Sequence, residues 1–413
     1  MTPEKRRSFF SLLFVSAMDN FGLGVVFVMF APLLLSPDYH FVPVDTSVAV
    51  RNFYLAILFI AFPLTQIFGA PILGDLADRI GRKKALYISI IGVIAGTLLS
   101  GIGCLFYSIW ILLFSRLFTG FFAGNLSICL SAIADLSPTE KSRSRNFGIL
   151  TVIWGISWNI AMLVGGYLSD PSKSSFFSPA LPFWLTAILT LLSLFAIAKF
   201  YTETHVSKDN HPFNLVKGLH NIILSLKIKE TRLYFLVILL WTLGWGLSVQ
   251  WFAAYSILKY QALQTEISWG LVIQGCFWML GGSVLNPILL KRYNSHKIAI
   301  IAYSFLTIVL AATLLATNYW VFCAIYWIAA VFSSFGFSNS MNLASIHAPD
   351  DVQGKVMGLS QSMMSLGFVI VPIIGGVVGG LDATWFYPIS AALILINVLL
   401  LFINKEKKAY THE

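Results

Sequence analysis

Asp19 and Arg116 are the residues of this chain best placed to do chemistry, because each interrupts a long apolar run. Asp19 stands in SAMDNFGLG and Arg116 in LLFSRLFTGFFAGN. An ionisable side chain inside hydrocarbon is costly enough to suggest a role. Desolvation raises the pKa of a carboxyl and a nearby arginine lowers it, so an acid held between the two influences can exchange protons. If the pair shares one electrostatic site, a proton reaching Asp19 or a substrate reaching Arg116 alters the coupling. The plainer alternatives are a static ion pair fastening two helices, or an Asp19 that faces Asn20 and Ser16 and serves packing.

A second charged feature is GDLADRIGRKKAL, residues 74–86, set between two apolar runs. Gly74 and Gly81 permit tight turns or a close approach of backbones. Asp78 and Arg82 are four residues apart and can pair on one helical turn. An acid beside another helix's N-terminus would latch two helices through the helix dipole. Arg79 and Lys83 surround this set. The alternative is charge that only sets topology.

Polar and aromatic groups elsewhere suggest substrate contacts. Trp241, Trp245 and Gln250 fall in WTLGWGLSVQW, and Trp327, Asn339 and Asn342 fall in a later apolar run. Asn20 and Asn125 join them. Aromatic faces with a few amides suit an apolar or cationic organic ligand. Aromatic residues form 15% of the chain, however, so packing or anchoring at the membrane interface is the plainer use.

These groups must be held by membrane helices. Of 413 residues, 57% are hydrophobic and only 11% are charged, and the mean hydropathy is +0.80. A soluble domain carries about a quarter charged residues. Twelve continuous apolar runs between residues 9 and 403 are each long enough to cross a bilayer as a helix. Most of the 27 lysines and arginines fall on alternate connections, which puts both termini in the cytoplasm. This bias accounts for the net charge of +9 without nucleic acid. The partners expected are a lipid bilayer, protons and a small-molecule substrate, with the chain a monomer. No cleavable signal peptide is visible before the first run. A bacterial inner membrane fits the composition.

The four cysteines all lie within spans, without metal-ligand spacing, and read as small apolar residues. No metal cluster, cofactor motif, P-loop or nucleophile–base constellation stands out, so no enzyme is expected.

The longest polar interruption divides the chain into residues 1–201, a linker at 202–231 and residues 232–413. The linker's second part has amphipathic helical spacing and would lie on the inner leaflet. LVGG at Gly165-Gly166 is matched by IIGG at Gly375-Gly376, Pro138 by Pro349, and Pro71-Ile72-Leu73 by Pro287-Ile288-Leu289, each about 210 residues on. The expected fold is an all-α membrane protein of twelve helices in two six-helix bundles related by a pseudo-two-fold axis. Parallel repeats of this kind enclose a central site that can be rocked open to either side.

The stretch from Gly74 to Leu86 resembles the loop 2–3 signature of the major facilitator superfamily at every defined position. The resemblance implies a relay of Asp78, Arg82 and Asp135, the last in SAIADLSP. RLFTGFFAGN is similar to the fourth-helix motif of the drug:proton antiporters of the tetracycline-exporter kind, whose arginine is implicated in proton coupling. AMDNFGLG matches their D-x-x-G-x-G pattern at Asp19, Gly22 and Gly24. The fifth-helix pattern G-P-x-x-G-G is altered to Ala161-Met162-Leu163-Val164-Gly165-Gly166, which weakens the export assignment more than the fold.

The resulting expectation is proton-coupled drug efflux by alternating access. Its rivals are proton-linked transport of a metabolite such as a nutrient or siderophore, and a membrane sensor that binds without turnover.

Overall fold

The structure is a computed structural model that describes residues 2–36, 39–137, 139–204, 223, 226–229, 231–348 and 356–404. Most of the linker, with the amphipathic helix expected there, lies outside the described residues, as do Pro138 and Pro349.

Twelve helices are long and apolar enough to cross a membrane. They are Pro3–Leu35, Val48–Ile80, Arg82–Leu105, Ile109–Asp135, Arg145–Leu168, Leu181–Phe200, Arg232–Gln250, Gln264–Leu290, Ser295–Leu315, Tyr319–Ile346, Gly358–Leu381 and Ala383–Ile403, referred to below as the first to twelfth spans. Hydrophobic composition makes them helical, since a backbone in lipid must bond to itself. Local polar residues set their ends. The side chains of Thr2, Ser108, Asn294 and Asn318 accept backbone N–H bonds at the starts of the first, fourth, ninth and tenth spans.

The described residues group into two compact units, one from Met1–Thr46, Ile57–Gly218 and Gln264–Val272, the other from Ser47–Ala56, Leu219–Leu263 and Ile273–Glu413.

In the first unit, the first and fifth spans are stitched by side chains. Ser157 Oγ donates to the carbonyl of Ala17, and Asn20 Nδ2 donates to the carbonyl of Trp154 at 2.6 Å. Further along the same pair, Gly24 meets Ala161: a Cβ at Gly24 would lie 2.6 Å from the Ala161 Cβ and 3.2 Å from the Trp158 carbonyl oxygen. The altered fifth-helix motif is accommodated here, because a residue larger than glycine at 161 faces a glycine. Gly24→Ala is therefore expected to cost about 1–3 kcal/mol through overpacking. Ala161→Gly in the same chain should recover much of that loss in a thermal-unfolding series. Equal melting of wild type and Gly24→Ala would remove this account of the motif.

Close backbone approach also fixes the fourth span. A Cβ on Gly120 would stand 2.3 Å from the Phe62 carbonyl oxygen, so the second and fourth spans touch main chain to main chain, as small residues allow in membranes. Thr65 Oγ1 ties the same pair by donating to the Leu117 carbonyl at 2.8 Å.

In the second unit, the seventh span ends at Gln250 and a short helix, Phe252–Tyr260, follows Trp251. Around that break Tyr326 stacks with Trp245, Phe252 and Phe322 at 5.4, 5.1 and 5.9 Å between ring centres. The eighth span carries a π-helical turn at Gly281–Leu285 before Asn286.

Candidate functional site

The fourth span is broken. One helix ends at Phe122 and another starts at Asn125, with Ala123 and Gly124 between them. The carbonyls freed by the break are taken up by neighbouring spans. Gln66 Nε2 donates to the Ala123 carbonyl at 3.1 Å, and Ser89 Oγ donates to the Phe122 carbonyl. Irregular backbone at membrane depth persists only where such partners or an internal cavity satisfy it.

The break aims Asn125 at Asp19. Asn125 Nδ2 donates to Asp19 Oδ1 at 2.8 Å, joining the second half of the fourth span to the first span. Asn125 is fully buried while Asp19 keeps partial exposure. The other amide atom, Asn125 Oδ1, has no hydrogen-bond partner among the described residues. An orphaned buried acceptor is unusual and calls for an explanation.

Arg116 sits on the first half of the same span, and it is 4% exposed. Its guanidinium lies over the rings of Phe62 at 4.6 Å and Phe30 at 5.7 Å. Aromatic faces stabilise the cation without supplying a counter-charge. Among the described residues Arg116 enters no ion pair, and its Nε has no hydrogen-bond partner. Asp19 and Arg116 thus belong to one broken helix-and-partner assembly, with the acid bonded to Asn125 rather than to the arginine.

The charged stretch at 74–86 is more helical than expected. The second span continues to Ile80 and the third starts at Arg82, so the junction is Gly81 alone, at a φ of +94° that favours glycine. Gly74 lies inside the second helix, not in a turn. The helix ends between Asp78 and Arg82, so the expected pair on one turn does not form. Instead Arg79 Nε donates to Asp75 Oδ2 at 2.8 Å, and Arg82 forms an ion pair with Asp135, its Nε 2.9 Å from Oδ2. Asp78 is exposed and has no partner among the described residues. Two of the three residues in the implied relay are joined.

One partner of this junction has no signal in the spacing. Glu203, just beyond the sixth span, accepts the backbone N–H groups of Arg82 at 3.1 Å and Lys83 at 3.0 Å. It is the acid at a helix N-terminus that a latch requires, supplied by another segment than expected. Lys83 reciprocates, its Nζ donating to the carbonyls of Ala198 at 3.1 Å and Tyr201 at 2.7 Å. Burial pushes the Tyr201 phenol above its ordinary range, which keeps it neutral beside Thr204. Glu203→Ala should destabilise the purified chain by about 1 kcal/mol, the usual worth of a helix cap. Glu203→Gln should lose less in the same unfolding assay; an unchanged melting curve for both would show the cap to be idle.

The remaining candidates lie in the second unit. Trp241 and Trp245 are buried, with Trp241 donating to Ser333 Oγ at 3.0 Å and stacking on Phe337 at 4.4 Å. Gln250 is buried with no partner for its Oε1 among the described residues. Asn339 donates to Asn286 Oδ1 at 2.7 Å, and Asn342 donates to Ser295 Oγ at 2.7 Å. Trp327 is half-buried near Phe277. Among the described residues no cluster of His, Cys, Asp or Glu is arranged to hold a metal ion.

Comparison with known proteins matches this chain to the model described as Major Facilitator Superfamily over residues 9–317 and 260–412. The tetracycline resistance protein, class H, of Pasteurella multocida is 30% identical over 198 residues. That match takes in 48% of this chain and 45% of the relative, so the chain aligns with about half the relative's length. The quinolone resistance protein NorA of Staphylococcus aureus (strain MRSA252) is 24% identical, with 86% of this chain and 88% of the relative covered. The crystal structure of the human organic anion transporter TETRAN superposes with a TM-score of 0.69 at 18% identity, covering 97% of this chain and all of that one.

Proposed function

This chain belongs to the Major Facilitator Superfamily, a family of transporters and not enzymes, and we propose that it exports a small organic molecule in exchange for protons. The observation that carries the reading is the Asn125–Asp19 hydrogen bond at the break in the fourth span. A carboxyl group with partial exposure can gain and lose a proton, and its neighbour can serve both forms. Towards the carboxylate, Asn125 donates an N–H. Towards the protonated acid, the same amide rotated by half a turn accepts the O–H through its otherwise unpartnered Oδ1. Either form keeps one hydrogen bond between the two side chains, so the proton can come and go without parting the first span from the fourth.

Alternating access follows the parallel-repeat logic: two six-helix bundles, residues 1–201 and 232–413, rock about a central site. The Arg82–Asp135 bridge and the Glu203 cap hold one arrangement at the cytoplasmic ends, with Asp78 free to engage in another. Substrate contacts are assigned to Asn20 and Trp327, which keep partial exposure, and to the buried amides of Gln250 and Asn339, whose oxygens have no hydrogen-bond partner among the described residues. Arg116 supplies a positive charge without an ion-pair partner among the described residues to the first unit, where Asn20 lies. The cargo is proposed to be a drug-like molecule of the kind named for the relatives, a tetracycline or a quinolone, and the setting a bacterial inner membrane with both termini cytoplasmic.

A second reading, proton-linked transport of one metabolite, is favoured by the altered fifth-helix motif. Inside-out vesicles with a respiration-generated pH gradient and a pH-sensitive dye separate the two. Collapse of the gradient by a tetracycline, a quinolone or a cationic drug supports export. Silence across that panel, with the protein present and folded, together with a response to an organic acid or sugar, would replace it with the second reading.

A further inference from the structure

Where the first span starts and the sixth ends, two hollows meet. One, of about 600 Å³, is lined by polar and charged groups that include Arg7, Lys83 and Lys199. The other, of about 690 Å³, runs down between the two helices and is lined chiefly by Phe10, Phe14 and Phe200. Arg7 and Phe200 line both, so the hollows are continuous. We propose that this continuous groove binds one anionic phospholipid, with its phosphate among the three cations and an acyl chain along the phenylalanines.

None of the three cations at the head of the groove enters an ion pair among the described residues, although the Glu203 carboxylate caps the backbone N–H groups of Arg82 and Lys83 nearby. Lys83 Nζ bonds only main-chain carbonyls, of Ala198 and Tyr201, which satisfy its protons without neutralising it. Lys199 lies over the rings of Phe195 and Phe200 at 5.7 and 5.5 Å. Arg7 enters no ion pair among the described residues. Glu4 is the carboxylate on the rim, and the cations outnumber it.

The tail of the groove follows from helix periodicity. Phe10 and Phe14 are one turn apart on the first span, and Ala196 and Phe200 are one turn apart on the sixth, so both faces line the same furrow. Phe10 is 54% exposed and Phe200 is 40% exposed, surface that only an apolar partner covers well. A phosphate bound by clustered cations with hydrocarbon beside it is the chemistry of a lipid, and basic residues at a membrane's cytoplasmic edge attract anionic lipid. Soluble phosphates match the head alone.

The test is native mass spectrometry of the full chain in detergent, titrated separately with phosphatidylglycerol, phosphatidylethanolamine and glycerol phosphate. Each basic residue near anionic lipid contributes about fivefold in affinity. Arg7→Gln with Lys199→Gln should therefore weaken phosphatidylglycerol binding by about 25-fold and leave phosphatidylethanolamine unchanged. Arg7→Lys with Lys199→Arg keeps the charges and should keep the binding, which guards against an effect of folding. Phe14→Ser should weaken phosphatidylglycerol without affecting glycerol phosphate. Equal phosphatidylglycerol binding by wild type and the double glutamine variant would overturn the proposal. So would glycerol phosphate binding as tightly as the lipid, which would assign the head site to a soluble anion.

Discussion

Asp19→Asn is expected to abolish proton-driven export while leaving the chain folded. The substitution keeps size and shape, and an amide oxygen at the same place still accepts the N–H of Asn125, which Asp19 Oδ1 now accepts at 2.8 Å. What disappears is the capacity to bind and release a proton. Gradient-driven flux should fall by about 100-fold or more, the scale on which losing a positioned proton-transfer group acts. Exchange of labelled for unlabelled substrate at equal concentrations needs no net proton movement and should persist. The melting temperature should move little, because an amide oxygen at position 19 still accepts the Asn125 N–H. A loss of both exchange and stability would instead mark Asp19 as a packing residue.

Breaking the Arg82–Asp135 bridge carries the second largest effect. The arginine side chain is 8% exposed and the aspartate 31%, at 2.9 Å. Removing one partner of a buried pair leaves an unpaired charge and costs about 3–5 kcal/mol when both are fully enclosed. Solvent reaching Asp135 reduces that, so Asp135→Asn or Arg82→Gln alone should cost about 2 kcal/mol. The double variant should cost less than the sum of the two, with a coupling of about 1 kcal/mol. Transport in each single variant should slow more than binding weakens if the bridge has its proposed role in the interconversion of states. Strict additivity in the unfolding cycle would show that the two charges act independently.

Much of this was legible in the sequence. Twelve helices follow from apolar run length, and the bridging of Arg82 to Asp135 followed from a family resemblance at Gly74 to Leu86. The chain's folding at 74–86 was less so. Spacing alone suggests that Asp78 pairs with Arg82, but a single glycine at positive φ separates their helices and sends Arg82 to another span. Glu203 was invisible because its role is set by where the sixth span ends in space, a long-range relation with no local pattern. Asn125 was a candidate, but its bond to Asp19 depends on the break at Ala123 and Gly124. That break is stabilised by Gln66 and Ser89 from other spans, so tertiary bonding rather than propensity creates it. The aromatic candidates show the reverse. Trp241 and Trp245 have the composition of a ligand face, yet their rings are buried against Phe337 and Tyr326.

The central claim is proton exchange at Asp19 coupled to substrate movement. It is tested most directly in proteoliposomes holding the purified chain, a trapped pH dye and no imposed pH gradient. An outward gradient of the compound that responds in the vesicle panel is then applied. The account predicts that substrate leaving drives protons in, and that Asp19→Asn moves neither. Substrate movement with no change in dye signal, or an unchanged signal in Asp19→Asn, would contradict it.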